Sequence, residues 1–244
     1  MNELLNYTDH RTAPLPAGPW MMYQKWEELV AMHIPVEPEE LAPHVPDELE
    51  LDLYEGKAWI SIFPFNVKNL KMRNVPRFPY FHEFLELNTR TYVKHKGIPG
   101  VYFFSLDAEK IIPVLGARTA TLPYYKAKMK RKEKAGWKYF CSKRQHDTKA
   151  WFKGRYKVLS SAAPSKEGTL EHWLFERYRL YKTVGGVVIH IGIHHMKWKL
   201  ADVSVDYNPD AINSLLPGDV SGEPVIAHYC PMLDVIFWPP YKSE

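Results

Sequence analysis

The chain has 244 residues, 45% hydrophobic, 14% aromatic and 25% charged. That apolar content can offset the ordering entropy of one large domain, which excludes both a disordered chain and a staple-dependent miniprotein. Net charge is 32 − 28 = +4, no run approaches the roughly 18 apolar residues of a bilayer span, and residues 1–18 lack the basic and apolar regions of a secretory signal, so a cytoplasmic protein without membrane contact is expected. Two cysteines, Cys141 and Cys230, are too few for a disulfide framework or a thiolate zinc site, and unpaired thiols are expected.

In chain order, Trp26, Leu29, Val30 and His33 have helical spacing and stop at Pro35, predicting a short first helix. Lys57 to Phe65 is apolar on both faces, as in a covered strand. Phe81 to Val93 and Val101 to Leu106 follow as strands. Ser105 or Asp107 is then placed to cap a short helix interrupted by Pro113 and ended by Pro123. Further strands are predicted at Tyr124 to Lys132, Lys138 to Arg144, Phe152 to Leu159, Val187 to Leu200 and Pro224 to Trp238, all rich in aromatic or β-branched residues. Leu170, Trp173, Leu174, Arg177, Tyr178 and Tyr181 form a helical stripe, with Thr169 as N-cap and Gly185 and Gly186 as terminator. No repeat or long linker divides the chain, so residues 1–244 read as a single β-rich α+β domain, closed or partly closed into a barrel with a few peripheral helices.

Charge is segregated along the chain. Residues 1–60 hold 12 acids and 3 bases, whereas residues 126–157 hold 13 bases and 2 acids. Such asymmetry can mark an anionic partner, but Lys126, Lys128, Lys130 and Lys132 alternate with Ala127 and Met129 as the solvent face of a strand does. No nucleic-acid-binding signature accompanies them, and no nucleic-acid partner is expected.

The Phe81 to Val93 strand has two unlike faces: Leu85, Leu87, Thr89, Thr91 and Val93 on one, and His82, Phe84, Glu86, Asn88, Arg90 and Tyr92 on the other. An ordinary exposed face explains this pattern. So does a polar row lining a lumen, in which Arg90 holds a carboxylate or enolate oxygen, Glu86 exchanges a proton and Asn88 bridges between them. His190, His194 and His195 do not make a metal site: on one strand His190 and His194 lie about 13 Å apart, too far to share an ion, and no HExxH motif is present. With no G-x-S-x-G elbow, P-loop or G-x-G-x-x-G fingerprint either, neither a metal nor another cofactor is expected.

The segments Phe84-Leu85-Glu86-Leu87-Asn88-Thr89-Arg90-Thr91-Tyr92-Val93, Gly100 to Ala108, Ala117-Arg118 and Leu122-Pro123-Tyr124 resemble the YqjF-like family of uncharacterised bacterial proteins. The likeness spans essentially the whole chain, including Trp59 to Phe65 and Trp173-Leu174-x-x-Arg177-Tyr178. That family is in turn similar to the acetoacetate decarboxylase-like superfamily, which implies a cone-shaped antiparallel β-barrel with an internal active cavity. Acetoacetate decarboxylases carry a glutamate, an arginine and a Pro-Lys-Lys turn in that order, the first lysine forming the Schiff base. Here Glu86, Arg118 and Pro123 keep the order, but Tyr124-Tyr125 stands where both lysines would be.

The resemblance therefore implies Glu86 and Tyr124 as proton-handling groups, with Asn88, Arg90 and Arg118 binding a small carbonyl- or carboxylate-containing metabolite. Acetoacetate decarboxylation itself is not expected. Tyr124 can donate a hydrogen bond to a carbonyl, or act as an acid if a nearby cation lowers its pKa. Lys126, on the same strand face two residues on, is a conceivable displaced amine. A non-catalytic small-molecule binding or sensing module is the alternative, and self-association into a homo-oligomer is compatible with the sequence.

Overall fold

The computed structural model describes residues 2–76, 79–110 and 122–243. Long apolar runs on both faces of one chain segment require cover on both sides, and the strands supply it for each other. Thirteen strands are seen among the described residues: β1 (Met22–Val36), β2 (Glu50–Leu51), β3 (Ala58–Met72), β4 (Glu83–His95), β5 (Ile98–Ala108), β6 (Tyr124–Lys134), β7 (Trp137–Arg144), β8 (Trp151–Val158), β9 (Ala163–Pro164), β10 (Arg179–Val184), β11 (Val187–His195), β12 (Lys199–Tyr207) and β13 (Ile226–Lys242). They form one sheet in the order β2-β4-β3-β1-β13-β11-β10-β5-β6-β7-β8-β12-β9. Two further pairings, β4 with β5 and β13 with β12, return the sheet on itself. The strands β4-β3-β1-β13-β11-β10-β5 thus complete a hydrogen-bonded circuit. Pairing is mainly antiparallel, with β10–β5 and β5–β6 parallel.

Among the described residues two large apolar cores result, beside two smaller clusters. Trp59, Phe63, Phe65 and Val67 of β3 enter one, and Ala58, Ile60 and Ile62, of opposite parity, enter the other. The first core also takes Trp26, Leu29 and Ala31 from β1, and the second Val30, Met32 and Ile34. β4 contributes Phe84 and Tyr92 to the first core and Leu87 to the second.

Several sequence expectations are corrected. The first helix is the strand β1. Its pairing with β3 slips between Glu27 and Met32, where Glu28 takes a φ of 53°. This irregularity resets the alternation, so Trp26 and Leu29 share a face at a spacing of three that imitates a helix turn. The late helix covers only Leu170–Phe175; Thr169 does cap it, its Oγ1 accepting from the His172 N–H at 3.3 Å. Arg177 Nε donates to the Trp173 carbonyl, and the chain then extends into β10. Gly185 and Gly186, both at positive φ, form the two-residue turn of the β10–β11 hairpin instead of ending a helix.

Ser105 and Asp107 lie within β5 and cap nothing, and the helix around Pro113 falls outside the described residues. Val187 to Leu200 is two strands, separated where the Trp198 N–H leaves the ladder to bond the Glu176 carboxylate. No helix among the described residues is long and apolar enough to cross a membrane.

The basic strands behave as their alternation suggests: Lys128, Lys130 and Lys132 are exposed, Ala127 and Met129 buried. Glu28 draws in Arg131 and Lys138, so part of the charge segregation is answered across the fold.

Where β5 meets β10 there is room only for glycine. A Cβ on Gly100 would lie 2.6 Å from the Tyr181 ring and 2.7 Å from the Arg179 carbonyl oxygen. Gly100→Ala is expected to cost about 1–3 kcal/mol of stability through displacement of β10. Urea denaturation checks this; an unchanged midpoint would show that the parallel junction is loose.

Candidate active site

The polar face of β4 points into the first core. Glu86, Asn88 and Arg90 are buried, at 5%, 2% and 5% exposure. They line one cavity with Tyr124 at the start of β6, Gln24 and Trp26 of β1, Phe103 and Leu106 of β5, and apolar side chains of β10, β11 and β13. Its volume, taken as the space open to the centre of a water-sized molecule, is about 50 Å³, room for a few waters or a compact organic acid. A bulge shapes it. The β4–β5 register shifts between Thr89, opposite Ser105, and Arg90, opposite Phe103. Phe103 and Leu106, of opposite parity, consequently both reach the cavity.

Inside, the polar atoms are under-satisfied. Among the described residues Glu86 Oε2, Asn88 Oδ1 and Arg90 Nε have no hydrogen-bond partner. Arg90 donates to the Leu174 carbonyl at 3.3 Å, and its guanidinium carbon sits 4.0 Å from the Phe63 ring centroid. No described carboxylate forms an ion pair with it; Asp52 is taken by Arg177 and Lys94. Arg90 also contacts Tyr92, whose hydroxyl continues through Ser61 Oγ at 2.6 Å to His33 Nδ1 at 2.7 Å. On the opposite side Trp26 Nε1 donates to Gln24 Oε1 at 2.7 Å.

Burial, reinforced by the Asp107 charge, pushes the Glu86 carboxyl up to about 8. Burial raises the Tyr124 phenol well above its ordinary value, with Glu86 adding to the effect. The lowered tyrosine pKa considered from sequence is thus reversed, and the phenol stays a donor. Tyr125 points outward, stacked under Arg144. Lys126 is not in the cavity lining and donates to the Glu109 carbonyl, so the displaced-amine reading is set aside. Arg118 lies outside the described residues.

The structure therefore brings together Glu86, Asn88, Arg90 and Tyr124. Sequence reasoning misses Gln24 and Trp26 because helical spacing in β1 hides the inward row Met22, Gln24, Trp26. Of the three late histidines, His194 donates from Nε2 to the Leu4 carbonyl at 2.7 Å and receives Arg11 at Nδ1. His195 bonds backbone carbonyls, and His190 is half-buried away from them.

A native Glu86 carboxyl keeps its proton to about pH 8, whereas an unfolded one releases it near 4.5. Stability should fall as pH rises between those values and level off above them. Glu86→Gln removes that slope, so as pH rises through this window the variant should gain on the parent by a few kcal/mol, at about 1.4 kcal/mol for each tenfold difference in proton affinity. Urea unfolding across the window decides: parallel profiles would mean that the carboxyl ionises freely in the native state.

A sequence model of DUF2071, described as an uncharacterized conserved protein family, matches residues 23–234. The chain is 43% identical over 230 residues, 92% of its length and 93% of the relative's, to the uncharacterized protein YqjF of Bacillus subtilis. Among solved structures it is similar to an acetoacetate decarboxylase-like enzyme from Sphingomonas wittichii, with a TM-score of 0.61, 10% identity and coverage of 96% of this chain and 98% of that one. It is also similar to the enduracididine biosynthesis enzyme MppR complexed with pyruvate, with a TM-score of 0.60, 10% identity and coverage of 95% and 91%. At such identities the likeness establishes the fold alone.

Proposed function

The chain belongs to the DUF2071 family of uncharacterized conserved proteins, and we propose that it binds a small carbonyl-containing carboxylic acid in the Arg90–Asn88–Glu86 cavity and moves a proton on it without forming an imine. We read the hydrogen-bonded circuit of strands as a single closed barrel holding that cavity. The observation carrying the reading is the buried Arg90 guanidinium, which has no ion-pair partner among the described residues. A buried unpaired charge costs several kcal/mol, and a ligand carboxylate would relieve it with a planar two-oxygen partner. The pyruvate held by the structurally similar MppR supports a ligand of this class.

In this reading Arg90 anchors the carboxylate and Asn88 orients the middle of the ligand. Tyr124 O–H donates to the carbonyl oxygen and stabilises charge that develops there. Glu86, poised near neutrality, takes a proton from the carbon beside that carbonyl, or returns one. Glu86 and Arg90 are four residues apart on one strand, about 13 Å between backbones. Their side chains close part of that gap and a ligand of a few carbons spans the rest.

Among the described residues no lysine lines the cavity, in keeping with imine-free chemistry. The second reading is a binding or sensing module in which the same residues hold the acid and no turnover follows.

Three measurements test the proposal. Against a panel of three- to five-carbon keto acids, the parent should show a thermal-shift hit, and Arg90→Gln should weaken binding by at least about 30-fold, the scale of a lost buried charge pair. Equal binding by the variant removes Arg90 from the site. In D₂O the parent should exchange the ligand's α-protons while Glu86→Gln binds without exchange. Binding with no exchange by the parent selects the sensing module. Borohydride with acetoacetate should leave the protein's mass unchanged; an adduct would contradict the imine-free mechanism.

A further inference from the structure

Away from the cavity, we propose that His10, Glu176 and His195 bind one divalent transition-metal ion of the zinc class. His195 ends β11, Glu176 follows the helix Leu170–Phe175, and His10 arrives from the N-terminal segment. One donor atom from each lies within 4.8 Å of those of the other two. The three are 8%, 5% and 2% exposed, and none of them lines the cavity.

Each donor is held from behind, as metal ligands are. His10 Nε2 lies 2.7 Å from the His195 carbonyl oxygen, and its buried Nδ1 has no partner among the described residues. His195 Nδ1 lies 2.8 Å from the Met196 carbonyl oxygen. The Glu176 carboxylate accepts from the Trp198 N–H at 3.1 Å and from the Tyr178 hydroxyl.

The arrangement is short of a cation. His195 Nε2 lies 3.3 Å from the Arg177 carbonyl oxygen, so both ring nitrogens face carbonyl acceptors. A neutral imidazole carries one N–H, and either tautomer leaves a lone pair against an oxygen. A metal on Nε2 resolves this, with a nitrogen of His10 and a Glu176 carboxylate oxygen close enough to join its shell. Two imidazoles and one carboxylate are a donor set suited to zinc. Glu176 also lines a surface cleft with Thr12, His172 and Arg177, which gives an ion a way in. Arg11, two of whose contacts are nearby, is otherwise engaged: it stacks on the Tyr178 ring at 4.4 Å and donates to the Ile193 carbonyl. A proton on His195 is the competing cation.

Zinc titrated calorimetrically into the chelator-stripped full chain distinguishes the two. One ion per chain is expected, with a raised melting temperature and an X-ray absorption signature of imidazole and oxygen donors at about 2.0–2.1 Å. His10→Ala should still unfold cooperatively in urea, at a midpoint lowered by the loss of its buried hydrogen bond, and lose at least about 100-fold in zinc affinity. His190→Ala, on the same strand as His195 but outside the cluster, should bind as the parent does. Absence of stoichiometric zinc binding, or binding that His10→Ala leaves intact, overturns the site. Keto-acid binding in the Arg90 cavity is read separately and decides nothing here.

Discussion

A guanidinium held inside an apolar core with no described carboxylate beside it is the constraint on which the functional reading of this fold depends. The protein contains its own control. Arg177 is as deeply buried as Arg90, yet it is paired with Asp52 and stacked on Trp173. Arg90 has a backbone carbonyl and the face of Phe63, which soften the desolvation of a charge without neutralising it. Breaking a buried pair costs about 3–5 kcal/mol because one charge is left alone, and Arg90 lives in that condition. That cost is the ground on which an anion-binding role is proposed for Arg90.

The neighbouring groups limit what the site can do. No lysine is among the described lining residues, so chemistry through an imine has no nucleophile among them. What replaces it is a phenol that keeps its proton and a carboxyl near neutrality. These groups donate and exchange protons; they do not form a stable covalent bond to a ketone. The fold is similar to that of an acetoacetate decarboxylase-like enzyme, and the proposed chemistry follows from this chain's own lining residues.

The strand-rich architecture can be read from alternation and β-branched content: β3 to β8 and β11 to β13 all overlap segments that patterning marks. β1 escapes because the irregularity at Glu28 converts a spacing of two into one of three, a signal that local periodicity cannot separate from a helix. The late helix is overextended because Tyr178 and Tyr181 continue its stripe by coincidence, although Tyr181 belongs to β10 and Tyr178 immediately precedes it. In the site, the two unlike faces of β4 are visible in sequence, but whether the polar face meets water or a core is not. That depends on the return of β5 and β10 onto β4, which is information held by long-range pairing alone. The His10–Glu176–His195 cluster joins three distant segments and carries no local signature at all.

The most direct measurement is a crystal structure of the protein soaked with a keto acid that stabilises it. The account predicts density inside the cavity with a carboxylate within hydrogen-bond distance, about 2.7–2.9 Å, of the Arg90 guanidinium, and the carbonyl turned toward Tyr124. A ligand bound elsewhere, or an Arg90 turned onto a carboxylate of the protein itself, would contradict it.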